Sequence, residues 1–253
     1  MRLSWSGLLL MLGMLCGCYP KGDPGKPIPT VLIPAPAPVQ RLVIVLPGRG
    51  DDLAGLQRAG IAHAIQSQWP DADVVLSGLA MGYYLQGNAI TRLHEEIIVP
   101  ARARGYHEVW LLGASLGGLG ALMHDARWQG TVDGIVLMAP YLGEKPLLDE
   151  IAAAGGIARW NAGPVPAQVN GDNFQHELWR HLQTWSRDPA HARNVWLAYG
   201  DRDYLRDTMP SLIPLLPASH VLLRSGGHAW TVWTPAVTDV LAAIDAERHA
   251  QTQ

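Results

Sequence analysis

Beyond residue 18 the chain contains no cysteine; its two, Cys16 and Cys18, both lie near the N-terminus. The rest therefore has no disulfide framework, no cysteine nucleophile and no thiolate zinc site. The ten histidines form no metal signature. His94-Glu95-Glu96-Ile97-Ile98 opens like a zinc-protease helix but lacks the second histidine that its spacing requires. His176 and His181, five apart, do not share a helical face. Charge is also sparse. Only 16% of residues are Asp, Glu, Lys or Arg, the net charge is −3, and no basic stripe is visible, so nucleic acid is not an expected partner. Leu8 to Leu15 is too short an apolar run to span a bilayer, and there is no internal repeat. With 48% hydrophobic residues the chain is expected to pack rather than stay disordered.

The N-terminus reads as an address. Met1-Arg2 is a short positive region, followed by the apolar run and then Leu15-Cys16-Gly17-Cys18. That ending resembles the bacterial lipobox, in which a leucine and a small residue guide cleavage before a cysteine. The resemblance implies a signal peptide over residues 1–18, a lipidated Cys18 and stable membrane anchoring. It also implies a place in the bacterial cell envelope; with no Asp after Cys18, this would be the outer membrane facing the periplasm in a Gram-negative host. Residues 19–40 carry Pro20, Pro24, Pro27, Pro29, Pro34, Pro36 and Pro38. They are expected to form an extended spacer between membrane and domain.

From residue 41 apolar β-branched runs alternate with helical patterns. Strands are expected over Arg41–Leu46, Ala72–Leu76, Glu108–Leu112, Gly134–Met138, Val195–Tyr199 and His220–Leu223. Helices are expected over Leu53–Trp69, over Ile90–Arg104 with a kink at Pro100, and over Leu116–Ala126. A last helix should be capped by Thr234, with Pro235 in first position. The alternation predicts an α/β fold: a mostly parallel sheet with helices on both faces, in one domain of about 210 residues over 41–253. Residues 142–188 are long for a connection and suggest a small helical cap or a crossover with long flanking loops.

Gly113-Ala114-Ser115-Leu116-Gly117 follows a predicted strand and opens a predicted helix. A serine in that context sits on a turn sharp enough to expose its hydroxyl above the sheet, with no room for side chains two residues to either side. On these residues the segment from Leu42 to the last helix resembles the α/β-hydrolase superfamily. Leu46-Pro47-Gly48-Arg49-Gly50-Asp51 is similar to the first-loop motif of its carboxylesterase and acyl-thioesterase branch, with Pro47 where a histidine is common. The resemblance implies Ser115 as nucleophile and the backbone N–H groups of Arg49 and Leu116 as oxyanion donors. It further implies an acid after a late strand and a histidine after the last one. Gly200-Asp201-Arg202-Asp203 favours Asp203 as the acid, with Asp201 as rival; Ser225-Gly226-Gly227-His228 supplies the base.

The implied activity is hydrolysis of a small carboxylic ester or thioester, without a bound cofactor. Amide hydrolysis with the same triad and a ligand-binding envelope lipoprotein are the alternatives. Trp230 and Trp233, close behind His228, either line a pocket or belong to the core. The oligomeric state is not legible.

Overall fold

The computed structural model describes residues 21–251. The signal segment and Cys18 lie outside them. A seven-stranded sheet carries the fold: β1 (Thr30–Ile33), β2 (Arg41–Leu46), β3 (Ala72–Ser77), β4 (Glu108–Ala114), β5 (Gly134–Met138), β6 (Val195–Gly200) and β7 (Val221–Arg224). Their spatial order is β1-β3-β2-β4-β5-β6-β7. Every pair is parallel except β1 with β3.

The central strands are apolar throughout because both faces are covered. In β2, Leu42, Ile44 and Leu46 face one core while Val43 and Val45 face the other. The first core takes in α4 (Ala89–Leu93), α6 (Leu116–Arg127), α7 (Lys145–Ala153) and α8 (Phe174–Arg187). The second is closed by α1 (Leu53–Arg58), α2 (Ile61–Gln68) and α9 (Trp230–Gln251). In α9, Val237, Val240, Leu241 and Ile244 form the buried stripe. The short helices α3 (Met81–Leu85) and α5 (Val99–Ala103) complete the first layer. Among the described residues no helix is long and apolar enough to cross a membrane.

Four local expectations need correction. The proline-rich stretch is not a free spacer from residue 21 on. Its Thr30-Val31-Leu32-Ile33 pairs as the antiparallel edge strand against β3. Pro29 and Pro34 flank that strand rather than interrupt it, and an edge strand tolerates their missing donors. The preceding residues are held as well: Arg92 donates to the carbonyls of Pro24 and Lys26, and Ile28 N–H donates to Glu96 at 2.7 Å.

The helix expected over Leu53–Trp69 is split by Gly60, which sits at φ +67°. That over Ile90–Arg104 widens into a π turn at His94–Ile98 before Pro100. Proline cannot donate to the carbonyl four residues back, and its ring crowds that carbonyl outward. Finally, α9 starts at Trp230, so Thr234 is not its cap. The Thr234 hydroxyl donates instead to Ala59 C=O at 3.0 Å.

The connection from β5 to β6 is mainly a crossover. Leu178, Trp179, Leu182 and Trp185 of α8 join the same core as Ile135 and Leu137 of β5. Trp179 Nε1 donates to Leu142 C=O at 2.7 Å, tying the helix to the strand end.

One buried group predicts a pH dependence of stability. His124 on α6 is fully buried, and its Nε2 lies 3.1 Å from His94 Nδ1. Burial, and then the neighbouring His94, pushes its pKa down to about 3. The unfolded chain takes up a proton near pH 6.5 while the native state refuses it, so stability is full above pH 6.5 and falls as pH drops towards 3. Between pH 7 and pH 5 this one group should remove about 2 kcal/mol. Urea unfolding at both pH values should show that loss, and His124→Gln should lose about 2 kcal/mol less than the wild type over the same interval.

Candidate active site

Ser115 stands where β4 ends and α6 begins, in a backbone conformation (φ 52°, ψ −112°) that L-residues rarely adopt. The reason is the packing around it. A Cβ at Gly113 would lie 2.3 Å from Gly117 O, and one at Gly117 would lie 2.4 Å from Leu46 O. The backbones of β4, α6 and the end of β2 are thus in direct contact, and the residue between the two glycines is forced into a positive φ. The strained turn is held by hydrogen bonds. Ser115 N–H donates to Met138 C=O at 2.9 Å, and Ser115 C=O accepts from Gly118, Leu119 and Tyr141.

Asp203 and His228 meet. Both Asp203 carboxylate oxygens lie 2.9 Å from His228 Nδ1. The Asp203 side chain is fully buried and that of His228 nearly so. Asp203 Oδ1 also accepts from Leu205 N–H at 2.8 Å, so a buried carboxylate has the donors it needs. The rival Asp201 does other work: its Oδ1 accepts from Gly226 N–H at 2.8 Å and shapes the turn before the histidine. Gly226, at φ +134°, is packed so closely that a Cβ at Gly200 would lie 2.2 Å from its carbonyl oxygen.

The imidazole is boxed by aromatics. Trp233 meets it edge-on at 4.6 Å between ring centroids, and Tyr204 covers it at 4.2 Å. Trp233 is 3% exposed and belongs to the core, whereas Tyr204 is 74% exposed. Trp230 packs on Trp233 at 5.3 Å. Sequence reasoning missed Tyr204; its place directly after Asp203 was the available signal.

Ser115, Asp203 and His228 follow β4, β6 and β7, so all three stand at the carboxyl edge of the sheet. Among the described residues no hydrogen bond joins Ser115 Oγ to His228. The loop after β2 lies against the serine: a Cβ at Gly48 would be 3.6 Å from Ser115 Cβ. Arg49 follows in that loop. Leu116 is the first residue of α6, where the N–H has no acceptor within the helix. On the other side Tyr141, at the end of β5, hydrogen-bonds Glu144 at 2.5 Å. Burial, and then that carboxylate, raise the phenol pKa. No group of three or more His, Cys, Asp or Glu side chains is gathered as a metal site would need, among the described residues.

Solved structures share this architecture. A ferulic acid esterase superposes with TM-score 0.54 at 14% identity, over 81% of this chain and 84% of that one. S-formylglutathione hydrolase FrmB from Staphylococcus aureus gives 0.52 at 14%, over 81% and 80%. A monoacylglycerol lipase from Paleococcus ferrophilus gives 0.53 at 12%, over 86% and 100%. The chain has the α/β-hydrolase fold. No protein-family model matches the sequence, and no curated protein matches it either. At these identities the likeness is one of fold. Within the α/β-hydrolase fold, the strained serine after the central strand and the paired acid and histidine after two later strands are this chain's own features.

The two acids can be told apart by exchange. If Asp203 orients His228 in catalysis, Asp203→Asn leaves the wrong tautomer and should lower turnover by about 10⁴. Asp201→Asn keeps an acceptor for Gly226 and should cost about tenfold or less. Steady-state rates on any ester the wild type cleaves would check the ranking, and the reverse order would transfer the role to Asp201.

Proposed function

We propose that the protein is a serine hydrolase that cleaves carboxylic esters or thioesters through an acyl-enzyme. The observation that carries this reading is the buried Asp203–His228 pair on the same sheet edge as a serine held in a left-handed turn. The structures sharing its fold include an esterase and a monoacylglycerol lipase, and S-formylglutathione is itself a thioester.

In the proposed reaction Ser115 Oγ attacks the substrate carbonyl carbon while His228 Nε2 takes its proton. Asp203 holds Nδ1–H and stabilises the imidazolium that forms. The N–H groups of Arg49 and Leu116 receive the developing oxyanion, each worth about 3 kcal/mol in the transition state. The imidazolium then protonates the departing alcohol or thiol. Water, activated by the same histidine, releases the acid and restores the serine. The proton transfer requires Ser115 Oγ within hydrogen-bond reach of His228 Nε2 in the substrate complex.

A fluorophosphonate should label Ser115 in the wild type. Ser115→Ala should abolish labelling in a folded protein. His228→Ala should suppress it nearly as strongly, because nucleophile and base act as a unit. Equal labelling of all three proteins, or none of the wild type, would defeat the hydrolase reading.

We propose also that the enzyme is anchored to a membrane of the bacterial cell envelope through Cys18. The described domain starts within a few residues of that cysteine, since Lys21 C=O already accepts from Gly82 N–H. The catalytic edge would then be held close to the membrane rather than on a long tether. Intact-mass analysis of protein from membranes should find acyl chains on an N-terminal Cys18, and cleavage elsewhere would remove the claim.

A further inference from the structure

Asp51 is a carboxylate next to the nucleophile turn that the reaction above does not use. Its neighbour Asp52 caps α1, accepting from Gly55 N–H at 2.8 Å. Asp51 has a different partner. Its Oδ2 accepts from Trp230 Nε1 at 2.8 Å, across 179 positions of sequence. The same carboxylate lies over two glycines, 3.3 Å from where a Cβ of Gly48 would be and 3.0 Å from one at Gly55.

Its backbone closes a turn as well. Asp51 N–H donates to Gly48 C=O at 3.1 Å, which makes Gly48-Arg49-Gly50-Asp51 a β-turn with Arg49 in its second position. In that position the N–H takes no part in the turn's own hydrogen bond, and its direction follows from the backbone of the turn. The orientation of the Arg49 N–H is therefore set by whatever holds the turn. On one side that is Gly48 against Ser115; on the other it is Asp51 against Trp230.

Trp230 lies two residues beyond His228 and opens α9. It packs on Trp233, and Trp233 packs on the His228 ring. A chain of contacts thus runs from the turn bearing Arg49 through Asp51, Trp230 and Trp233 to the imidazole.

We propose that Asp51 is a positioning residue that fixes the oxyanion turn relative to the base through its hydrogen bond to Trp230. The inference rests on the serine-hydrolase reading and deepens it. Asp51 does not touch the reacting atoms; it sets how far apart two groups that do are held. A displacement of the donor by an ångström weakens transition-state binding more than ground-state binding, because the oxyanion exists only in the former.

The test measures kcat and KM on one activated ester in the full chain, with thermal unfolding beside them. Asp51→Ala should lower kcat by about 10- to 100-fold with KM within about threefold. Trp230→Phe, which keeps an aromatic ring and removes the donor, should do the same. The double variant should be no worse than the poorer single one, since both break one contact. Asp51→Asn keeps an acceptor for Trp230 and should recover most of kcat. If Asp51→Ala fails to fold, Trp230→Phe and Asp51→Asn carry the comparison. A scaffold role would lower the unfolding temperature and leave kcat of the folded protein unchanged; that outcome, or additive losses in the double variant, would overturn the proposal. A wild type that neither hydrolyses the ester nor labels at Ser115 would instead remove the reading on which it rests.

Discussion

The site depends on one backbone-to-backbone contact, that of α6 lying on the end of β2 at Gly117. At 2.4 Å from a would-be Cβ to Leu46 O, no side chain fits there. Because α6 comes so close, the turn from β4 must be tight, Gly113 must be bare, and Ser115 must take a left-handed backbone. That conformation costs about 1–3 kcal/mol. It is offset by the ladder that surrounds it, since both its N–H and its C=O are hydrogen-bonded. Ala139, at the end of the neighbouring β5, shares the strain with φ 43°. Its turn carries Pro140 under α6, where a Cβ on Gly118 would lie 2.7 Å from Pro140 Cβ. The same contact brings the β2 loop against the serine. The strained Ser115 turn and the placement of the β2 loop beside it are thus two consequences of one close approach.

Burial of the sheet on both faces confines chemistry to its edges. The core strands are lined by helices, so side chains from them cannot meet a substrate; residues just past their carboxyl ends can. Three of the four neighbouring strands β4 to β7 deliver a candidate group there, and β5 delivers Tyr141. Asp203 has to be buried to orient an imidazole without competition from water. A buried carboxylate left short of donors would cost several kcal/mol. The Leu205 N–H and the Nδ1–H of His228 supply what it needs. That requirement separates Asp203 from Asp201, whose half-exposed carboxylate holds a glycine turn.

Much of this was legible because it is local. The strand–glycine–serine–helix run, the apolar strands and the glycine pair before His228 each declare themselves within ten residues. Gly200-Asp201-Arg202-Asp203 favours Asp203 within four residues, and Asp203 is the one of its two carboxylates that lies against His228. What was not legible is what depends on distant partners. Thr30-Val31-Leu32-Ile33 is a short strand among prolines, and only the free edge of β3 makes it one. Ala139 carries no sign of its left-handed backbone, since glycine is the usual marker and is absent. Pro235 suggested a helix start, yet the helix begins five residues earlier because Trp230 and Trp233 have core contacts to make. Tertiary packing overrode the local signal there. Tyr204 over His228 and Asp51 on Trp230 join residues far apart in sequence, which no periodicity reveals.

The position of the base illustrates the same point in energetic terms. β7, the strand that leads to His228, has four residues, lies at the sheet edge and leaves Leu223 53% exposed. Such a strand opens at little cost and could not by itself hold an imidazole to a fraction of an ångström. The rigid element is the helix behind it. α9 buries Trp233, Val237, Val240, Leu241 and Ile244 in the second core. It is further tied by Thr234 to Ala59, by Asp245 to the Trp69 indole, and by Trp230 to Asp51. His228 sits between the weak strand and this strong helix, two residues from the latter. Its placement is therefore inherited from α9, and through α9 from α1, α2 and the β2 loop on which the serine also rests. Asp203, His228 and Ser115 come from separate stretches of sequence, but they are referred to one rigid body.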